Sequence, residues 1–168
     1  RNFGYVPQQI FLSDDSIASN IAFGIPADER DQGAIERAAR AANLHDFVMT
    51  ELPEAYETYV GERGIRLSGG QRQRVGIARA LYHDPMILIM DEATSALDSV
   101  TEDAVMGAIR KLTHKKTIIL IAHRLTTVQT CDAIYLLEKG DVKASGTYDQ
   151  LLMEEPRFRA MAKVASRE

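Results

Sequence analysis

The sequence predicts an α/β fold in which helices flank a mostly parallel sheet. Two continuous apolar runs, Met86–Met90 and Thr117–Ala122, indicate strands that are buried on both faces. Helical patterns alternate with such strands in the second half of the chain, as in sheets built from strand–helix–strand units. The stretch from Ser13 to Gly64 does not share this rhythm and is mostly helical. We therefore expect a helical subdomain inserted into an α/β core.

The first half of the chain contains one predicted strand, Phe3–Val6, followed by helices. The polar cluster Ser13–Ser16 has the residue types that cap a helix, and it precedes a short apolar stretch. Apolar residues then recur at i, i+3, i+4 and i+7 from Ile35, which is the period of an amphipathic helix. The helices predicted here are Ile17–Phe23, one from about Ala34 to Ala42, and Leu44–Leu52.

The second half begins with a helix from Ser68 to about His83, which ends before Pro85. A helix is predicted over Thr101–Leu112, and the apolar run Thr117–Ala122 follows it. A third buried strand is expected after that run. The turn-forming residues Glu138–Asp141 then predict a hairpin. The remaining predicted elements are, in order, a strand over Ala133–Leu137, its hairpin partner Val142–Ala144, and helices over Tyr148–Met153 and about Arg157–Ala165.

Composition excludes several classes of protein. The 168 residues include 24 acidic and 20 basic side chains, a formal charge of −4, and 45 % are hydrophobic. These values are ordinary for a globular domain and exclude a disordered chain or a collagen-like repeat. An acidic balance is not expected of an autonomous nucleic-acid binder. The single cysteine, Cys131, excludes an internal disulfide.

The first candidate site is the turn Leu67–Gln71 at the start of a helix. Ser68 and Gln71 have the spacing of a capping box, and two glycines between them leave backbone N–H groups unobstructed. A helix N-terminus with bare amides and a hydroxyl is suited to phosphate. The alternative is a well-capped helix that binds no ligand.

The second candidate site follows the apolar run Ile87–Met90, where Asp91 and Glu92 stand side by side. Ligands of open α/β sheets bind at the carboxyl ends of the strands. An aspartate there can hold Mg²⁺, and a glutamate beside it can accept a proton from water. The alternative is a strand end with two solvated acids.

A third candidate, His123, follows the next buried strand and is expected at the same edge of the sheet. Histidine can hydrogen-bond a phosphate or orient water. The alternative is a histidine with a purely structural role.

These motifs, in this order, resemble the ATP-binding-cassette (ABC) proteins over essentially the whole chain. Leu67–Gln71 resembles the family's signature motif, and Ile87–Asp91 with Glu92 resembles its Walker B strand. Ser95–Asp98 is similar to the D-loop, His123 to the switch histidine and Tyr5–Gln9 to the Q-loop, with Gln8 as the family glutamine. The resemblance implies a RecA-like, P-loop NTPase core with an inserted helical signature subdomain.

What the resemblance implies about each residue can be given by role. The expected subdomain covers about residues 13–84, and about 1–12 and 85–168 form the α/β core. The implied cofactors are ATP and Mg²⁺. The implied catalytic residues are Glu92, His123 and Gln8; those that contact nucleotide are Ser68, Gly69, Gly70, Gln71 and Asp98; those that hold the metal are Asp91 and Gln8.

The stretch Thr58–Gly64 is similar to the X-loop of ABC exporters. The implied partners are a second nucleotide-binding domain, as a homodimer or heterodimer, and a transmembrane domain contacted through the Q-loop and through Thr58, Glu62 and Arg63. No nucleic-acid partner is expected. The implied location is the cytoplasmic face of a membrane, and the general resemblance is to exporters of lipids or lipid-linked oligosaccharides.

The phosphate-binding motif Gly-x-x-x-x-Gly-Lys-Ser/Thr does not occur in the 168 residues. In the family it precedes the Q-loop, so we expect a chain truncated before the Q-loop and inactive alone. Two alternatives remain open: a soluble ABC ATPase without a membrane domain, and a non-catalytic module that supplies the signature face. Arg74 and Arg79, on the signature helix, are expected to be structural ion-pair partners.

Overall fold

The computed structural model describes residues 2–112, 116–122 and 124–165, with side chains described up to residue 162. The chain forms two compact units, Arg1–Ile121 and Ala122–Glu168. Each unit is described by itself below.

The first unit contains a three-stranded parallel sheet. The strands are β1 (Phe3–Val6), β2 (Ile87–Asp91) and β3 (Thr117–Ile121), and β2 lies between the other two. Val6 is aligned with Met90 and Met90 with Leu120, so the carboxyl ends of all three strands meet at one edge. The predicted parallel sheet is confirmed.

Helices make up most of the chain between β1 and β2. They are α1 (Ile17–Ile21), α2 (Gln32–Ala41), α3 (His45–Glu51) and α4 (Gly69–Leu81), with single 3₁₀ turns at Ala27–Glu29, Ala55–Glu57 and Glu62–Gly64. A longer helix, α5 (Ser99–Arg110), connects β2 to β3. Side chains cap four of these helices: Ser16 accepts from the Ser19 amide, Asp31 from the Ala34 amide, Ser68 from the Gln71 amide and Asp98 from the Thr101 amide.

One hydrophobic core joins the helices of this unit to one face of the sheet. Its fully buried members come from every layer and include Val6, Leu12, Ile17, Ile35, Leu44, Val48, Val75, Ile77, Leu88 and Ile109. Burying an aliphatic side chain of this size contributes about 1.5–3 kcal/mol. Shared burial of this kind makes the position of α4 depend on the sheet.

The prediction that the apolar strands are buried on both faces is wrong for β3. Ile119 and Ile121 are 48 % and 50 % exposed, and Tyr5, which shares a face and register with Ile119, is 55 % exposed. The opposite face carries the buried Val6, Leu88 and Met90. An apolar run indicates that a strand is buried but not which of its faces are covered. In the described residues, only one face of the sheet packs against apolar side chains.

The second unit is built around a hairpin of β4 (Ile134–Glu138) and β5 (Asp141–Gly146). Glu138 is aligned with Asp141, and Lys139 and Gly140 between them both have positive φ, as a two-residue type I′ turn requires. The predicted hairpin is therefore confirmed. The prediction of a third fully buried strand is wrong, because β4 exposes Tyr135 and Leu137 and pairs only with β5 in the described residues.

Three helices complete the second unit: α6 (Leu125–Val128), α7 (Tyr148–Glu154) and α8 (Pro156–Ala165). Leu125, Leu151 and Phe158 form its small core. Arg157 pairs with Glu138 and so ties α8 to the hairpin. Across the described parts of both units, we find no helix with the length and hydropathy needed to cross a bilayer.

Candidate functional site

The carboxyl edge of the sheet brings Gln8 and Glu92 together. Gln8 follows β1 by two residues and Glu92 follows β2 directly, so the parallel pairing places both at the same edge. The Gln8 Nε2 donates a hydrogen bond to the Glu92 Oε2 at 2.7 Å, although 84 residues separate them. Both side chains remain accessible to a ligand.

Glu92 lies in a backbone conformation that only a few non-glycine residues adopt. Its φ is +47°, in the left-handed region, which costs about 1–2 kcal/mol for an L residue. Its N–H donates to the Ile121 carbonyl at 2.9 Å, which anchors the turn to the end of β3. Such strain is found most often at functional sites.

Asp91 is the last residue of β2, and its Oδ2 accepts a hydrogen bond from the Tyr5 hydroxyl at 3.2 Å. Partial desolvation, followed by this contact with Asp91, raises the pKa of Tyr5 above its usual value. Tyr5 therefore stays a neutral donor that orients the Asp91 carboxylate. The sequence identified Asp91 but not Tyr5 as a site residue, because only the register β1–β2 brings them together.

The predicted capping box at the start of α4 is confirmed. The Ser68 Oγ accepts from the Gln71 N–H at 3.2 Å, and the Gln71 Oε1 accepts from the Ser68 N–H at 2.7 Å. The side-chain oxygen of Gln71 is thus already hydrogen-bonded within the capping box. The box fixes the direction in which the amides of Gly69 and Gly70 point.

The loop Ser95–Asp98 lies against this helix start within the same unit. A Cβ placed on Gly70 would be 3.4 Å from the Ala96 carbonyl oxygen and 3.5 Å from the Leu97 Cδ2. These are ordinary contact distances, so the loop packs closely without excluding a small side chain at residue 70. The two predicted motifs, Leu67–Gln71 and Ser95–Asp98, therefore lie next to each other in this unit.

Asp98 caps α5 at its N-terminus. Its carboxylate accepts from the Thr101 N–H at 2.9 Å and from the Thr101 hydroxyl at 2.8 Å. These hydrogen bonds, the backbone one first, lower the pKa of Asp98. The sequence predicted a nucleotide contact for Asp98. The structure adds a capping role, so the start of α5 also depends on this residue.

The lowered pKa of Asp98 gives a pH prediction with a definite sign. The capping contribution is fully present above the unfolded-state pKa of an aspartate, near 3.9, and is lost as the pH falls through the lower folded-state value. Asp98→Ala should lower the melting temperature at pH 7 by several degrees, and by less once the pH falls below the lowered pKa of Asp98. Asp98→Asn caps without titrating and is the matched control. A wild-type minus Asp98→Asn difference that is independent of pH would contradict this assignment.

A buried pair follows the edge of the sheet. The Thr94 hydroxyl donates to the Glu102 Oε1 at 2.8 Å, and both residues are 8 % exposed. The bond joins the loop after Glu92 to α5. The sequence does not indicate this pair, because neither residue belongs to a recognisable motif.

The stretch that resembles an X-loop is exposed at its tip. Glu62 and Arg63 lie in a 3₁₀ turn on the surface, and Arg63 has a φ of +54°. Thr58 is half-buried: its carbonyl accepts from the Ile17 N–H at 3.1 Å, and its hydroxyl oxygen accepts from the Glu54 N–H at 3.1 Å. The base of the stretch is thus held by α1, and its tip is accessible.

The prediction that Arg74 and Arg79 are ion-pair partners is not what the described residues show. No carboxylate lies within ion-pair distance of either guanidinium in the described part of the chain. Arg74 donates to the Asn43 carbonyl at 2.7 Å, and Arg79 donates to oxygens of Asn20 and Phe11. For Arg79, neutral oxygens suffice because the guanidinium offers several fixed N–H donors. The buried Nε of Arg74 has no hydrogen-bond partner among the described residues, and the charges of Asp98 and Glu51 act on this side chain from a longer distance.

His123 lies outside the described residues, so its predicted place at this edge stays a prediction. Within 2–112, 116–122 and 124–165, no three His, Cys, Asp or Glu side chains form a cluster that could hold a metal ion.

A parallel sheet that carries two acids and a glutamine at its carboxyl edge has them where open α/β sheets bind ligands, and a capped helix start is suited to phosphate groups. The sequence profile of the family described as "ABC transporter" matches residues 1–95, which is more than half of the chain. The chain therefore belongs to the ABC transporter family, whose domain of this type is an ATPase domain.

Individual relatives agree with this assignment. The chain is 48 % identical over 160 residues to an ATP-dependent lipid A-core flippase of Alkalilimnicola ehrlichii, covering 95 % of this chain and 27 % of that protein. It is 47 % identical over 156 residues to ABC transporter B family member 15 of Arabidopsis thaliana, covering 93 % of this chain and 12 % of that protein.

Among solved structures, a bacterial Atm1-family ABC exporter with ATP bound matches with a TM-score of 0.91 and 40 % identity. The match covers 99 % of this chain and 29 % of that one. The chain thus spans less than a third of the length of each of these relatives.

Proposed function

We propose that this chain is part of the ATP-hydrolysing motor domain of an ABC exporter. The hydrogen bond between Gln8 and Glu92 carries the proposal, because it joins the Q-loop and Walker B residues at the carboxyl edge of the sheet. In this role the chain converts ATP binding and hydrolysis into movement of a membrane domain.

Glu92 is the proposed base that polarises the attacking water, and Gln8 holds its carboxylate in place. A carboxylate within hydrogen-bond reach of water can accept its proton as the bond to phosphorus forms. His123, which follows β3 by two residues in the sequence, is proposed to contact the terminal phosphate. The anchored turn at residue 92 supports this assignment, since it fixes the base before substrate arrives.

Mg²⁺ is the implied metal, and the donor set fits it in part. Asp91 and Gln8 offer carboxylate and amide oxygens, the hard donors that Mg²⁺ takes together with water and substrate phosphates. Two protein donors suit a metal that arrives with the nucleotide. When bound, the ion supplies charge that stabilises phosphoryl transfer.

Ser68, Gly69, Gly70 and Gln71 are proposed to serve a nucleotide held by a second cassette, and Asp98 with them. The amides at the capped start of α4 provide a fixed set of donors for phosphate oxygens. The packing of Ala96 against Gly70 makes the two motifs a single surface toward that partner.

The proposed division of the chain follows the same logic. Residues 13–84 act as the helical signature subdomain, and 1–12 with 85–168 as the α/β core. The exposed Glu62 and Arg63, together with Thr58 and the Gln8 segment, face a transmembrane domain at the cytoplasmic side of the membrane. The relatives named as flippases support a lipid or lipid-linked substrate.

The chain alone is expected to hydrolyse ATP at no more than a background rate. Its 168 residues lack the P-loop whose amides and lysine hold the β- and γ-phosphates. Magnesium-dependent phosphate release is measured for the purified chain. The reference is an exporter in which this chain is part of a complete cassette. A rate from the chain equal to that of the complete cassette would contradict the proposal.

The transport proposal is tested with the exporter in lipid vesicles. ATP-dependent transfer of a labelled lipid between leaflets is expected, and it should stop in Glu92→Gln. Equal transfer with and without ATP would contradict a motor role.

A further inference from the structure

Arg79, near the end of α4, binds two segments that lie upstream in the sequence. Its Nε donates to the Asn20 carbonyl at 2.7 Å, its Nη1 to the Phe11 carbonyl at 2.9 Å, and its Nη2 to the Asn20 Oδ1 at 3.2 Å. The guanidinium also lies 4.8 Å from the centre of the Phe23 ring. One side chain therefore holds α1 and the chain after Gln8 against α4.

Asn20 extends this contact toward residue 13. Its side chain is fully buried; the Nδ2 donates to the carbonyls of Ser13 and Ser16 at 3.0 Å each, and the Oδ1 accepts from the Ser13 N–H at 3.0 Å. A buried amide with all of these partners has one allowed orientation. Its Oδ1 is therefore fixed as an acceptor for Arg79.

Gly76, one turn earlier on α4, provides a second contact with the same segment. A Cβ on Gly76 would overlap the Ile10 side chain, with its Cδ1 nearest, so Ile10 lies directly on the helix backbone. Ile10 is two residues after Gln8 and one before Phe11. The segment Gln8–Ser13, which we call the α4-bound segment, thus contacts Glu92 at its start and α4 through Ile10 and Phe11.

We propose that Arg79 is a positioning residue that holds the α4-bound segment on α4, and thereby fixes Gln8 relative to the Ser68–Gly70 turn. The inference rests on the proposed function, since Gln8 and that turn are the two parts of the nucleotide site that it relates. Arg79 contacts neither nucleotide nor metal in this account.

The contacts require arginine rather than any cation. Three N–H groups of one planar guanidinium point to three oxygens, a geometry that the single ammonium of lysine does not reproduce. Burial lowers the pKa of Arg79, yet a guanidinium remains protonated in proteins. The acceptors are neutral, so shape determines the fit more than charge does.

The test is a double-mutant cycle in an exporter that contains the whole cassette. Arg79→Lys is expected to lower kcat on the order of tenfold, from the loss of one or two hydrogen bonds. In a Gln8→Ala background the same substitution should lower kcat less than twofold, because the side chain that Arg79 positions is no longer present. The KM for ATP should change little in both backgrounds. A merely structural arginine would instead lower kcat by the same factor in both backgrounds, which would overturn the proposal.

A second pair of variants covers the case in which Arg79→Lys does not fold. Gly76→Ala should displace Ile10 and lower kcat, and Ile10→Ala in the same chain should restore most of it by removing the overlap. No recovery in the double variant would overturn the proposal. The matched control is Arg30→Lys, because Arg30 also binds α1 through Ser19, and the Ile25 carbonyl beyond that helix, but is not hydrogen-bonded to the α4-bound segment.

The outcomes separate this inference from the proposed function. If Glu92→Gln leaves ATP hydrolysis unchanged, the proposed function is wrong, and the positioning role that rests on it is overturned as well. If Glu92→Gln abolishes hydrolysis while Arg79→Lys acts equally with and without Gln8, the function stands and the positioning role is wrong.

Discussion

Glu92→Gln is expected to lower the rate of ATP hydrolysis by an exporter containing this cassette about 100- to 10,000-fold. The change removes the carboxylate that we propose accepts the proton of the attacking water, and general bases contribute a factor of that size. Glutamine keeps the side-chain length and an oxygen that can accept from Gln8, so the edge of the sheet should stay folded. The assay is steady-state phosphate release, with binding of a fluorescent ATP analogue measured in parallel.

The control for this prediction is Glu154→Gln, an exposed glutamate at the end of α7. Hydrolysis by that variant should equal the wild-type rate. Retained nucleotide binding with lost hydrolysis identifies a catalytic defect. A Glu92→Gln variant that hydrolyses ATP within twofold of wild type would contradict the assignment of the base.

Gly70→Asp is expected to reduce hydrolysis on the order of 100-fold without destabilising the fold. A carboxylate about 4 Å from a phosphate charge, at an effective dielectric constant near 20, is repelled by several kcal/mol. The same charge is favourable for the helix, because it stands in the first turn of α4. The space at residue 70 accepts a small side chain, since its nearest neighbours would be 3.4 Å and 3.5 Å from a Cβ.

Gly70→Asn is the matched control, because it has the same size and no charge. Hydrolysis should fall much less in Gly70→Asn than in Gly70→Asp, and the difference should shrink at high salt as the charge is screened. Thermal unfolding should show that both variants melt at or above the wild-type temperature. Equal losses in the two variants would show that bulk, rather than charge, is what the turn excludes.

The sequence predicted the strands and most helix positions well, because each motif carries its own local signal. The capping box at Ser68 and Gln71 needs only four residues, and the type I′ turn at Lys139 and Gly140 needs two. The burial of β3 was mispredicted for a different reason. An apolar run such as Thr117–Ile121 records the environment of the strand in the whole protein, and exposed residues such as Ile121 cannot be recognised from it.

The parts of the candidate site that sequence could not supply all depend on long-range register. Tyr5 meets Asp91 only because β1 pairs with β2 in parallel, and Arg79 meets Phe11 only because the chain returns along α4. The ion pairs expected for Arg79 assumed an acidic neighbour. The structure supplies backbone and amide oxygens instead, which no composition or spacing rule indicates.

The central claim is that each nucleotide is served by Glu92 of one cassette and by the Ser68–Gly70 turn of the other. It is tested most directly in a dimer of two cassettes that both contain this chain, one with Glu92→Gln and the other with Gly70→Asp, isolated through two different affinity tags. Both changes then fall in the same shared site, so the other site stays intact. We predict that single-turnover hydrolysis yields about one phosphate per dimer. The controls are a dimer with Glu92→Gln in both cassettes and a dimer with Gly70→Asp in both, and a yield as low as theirs would contradict the claim.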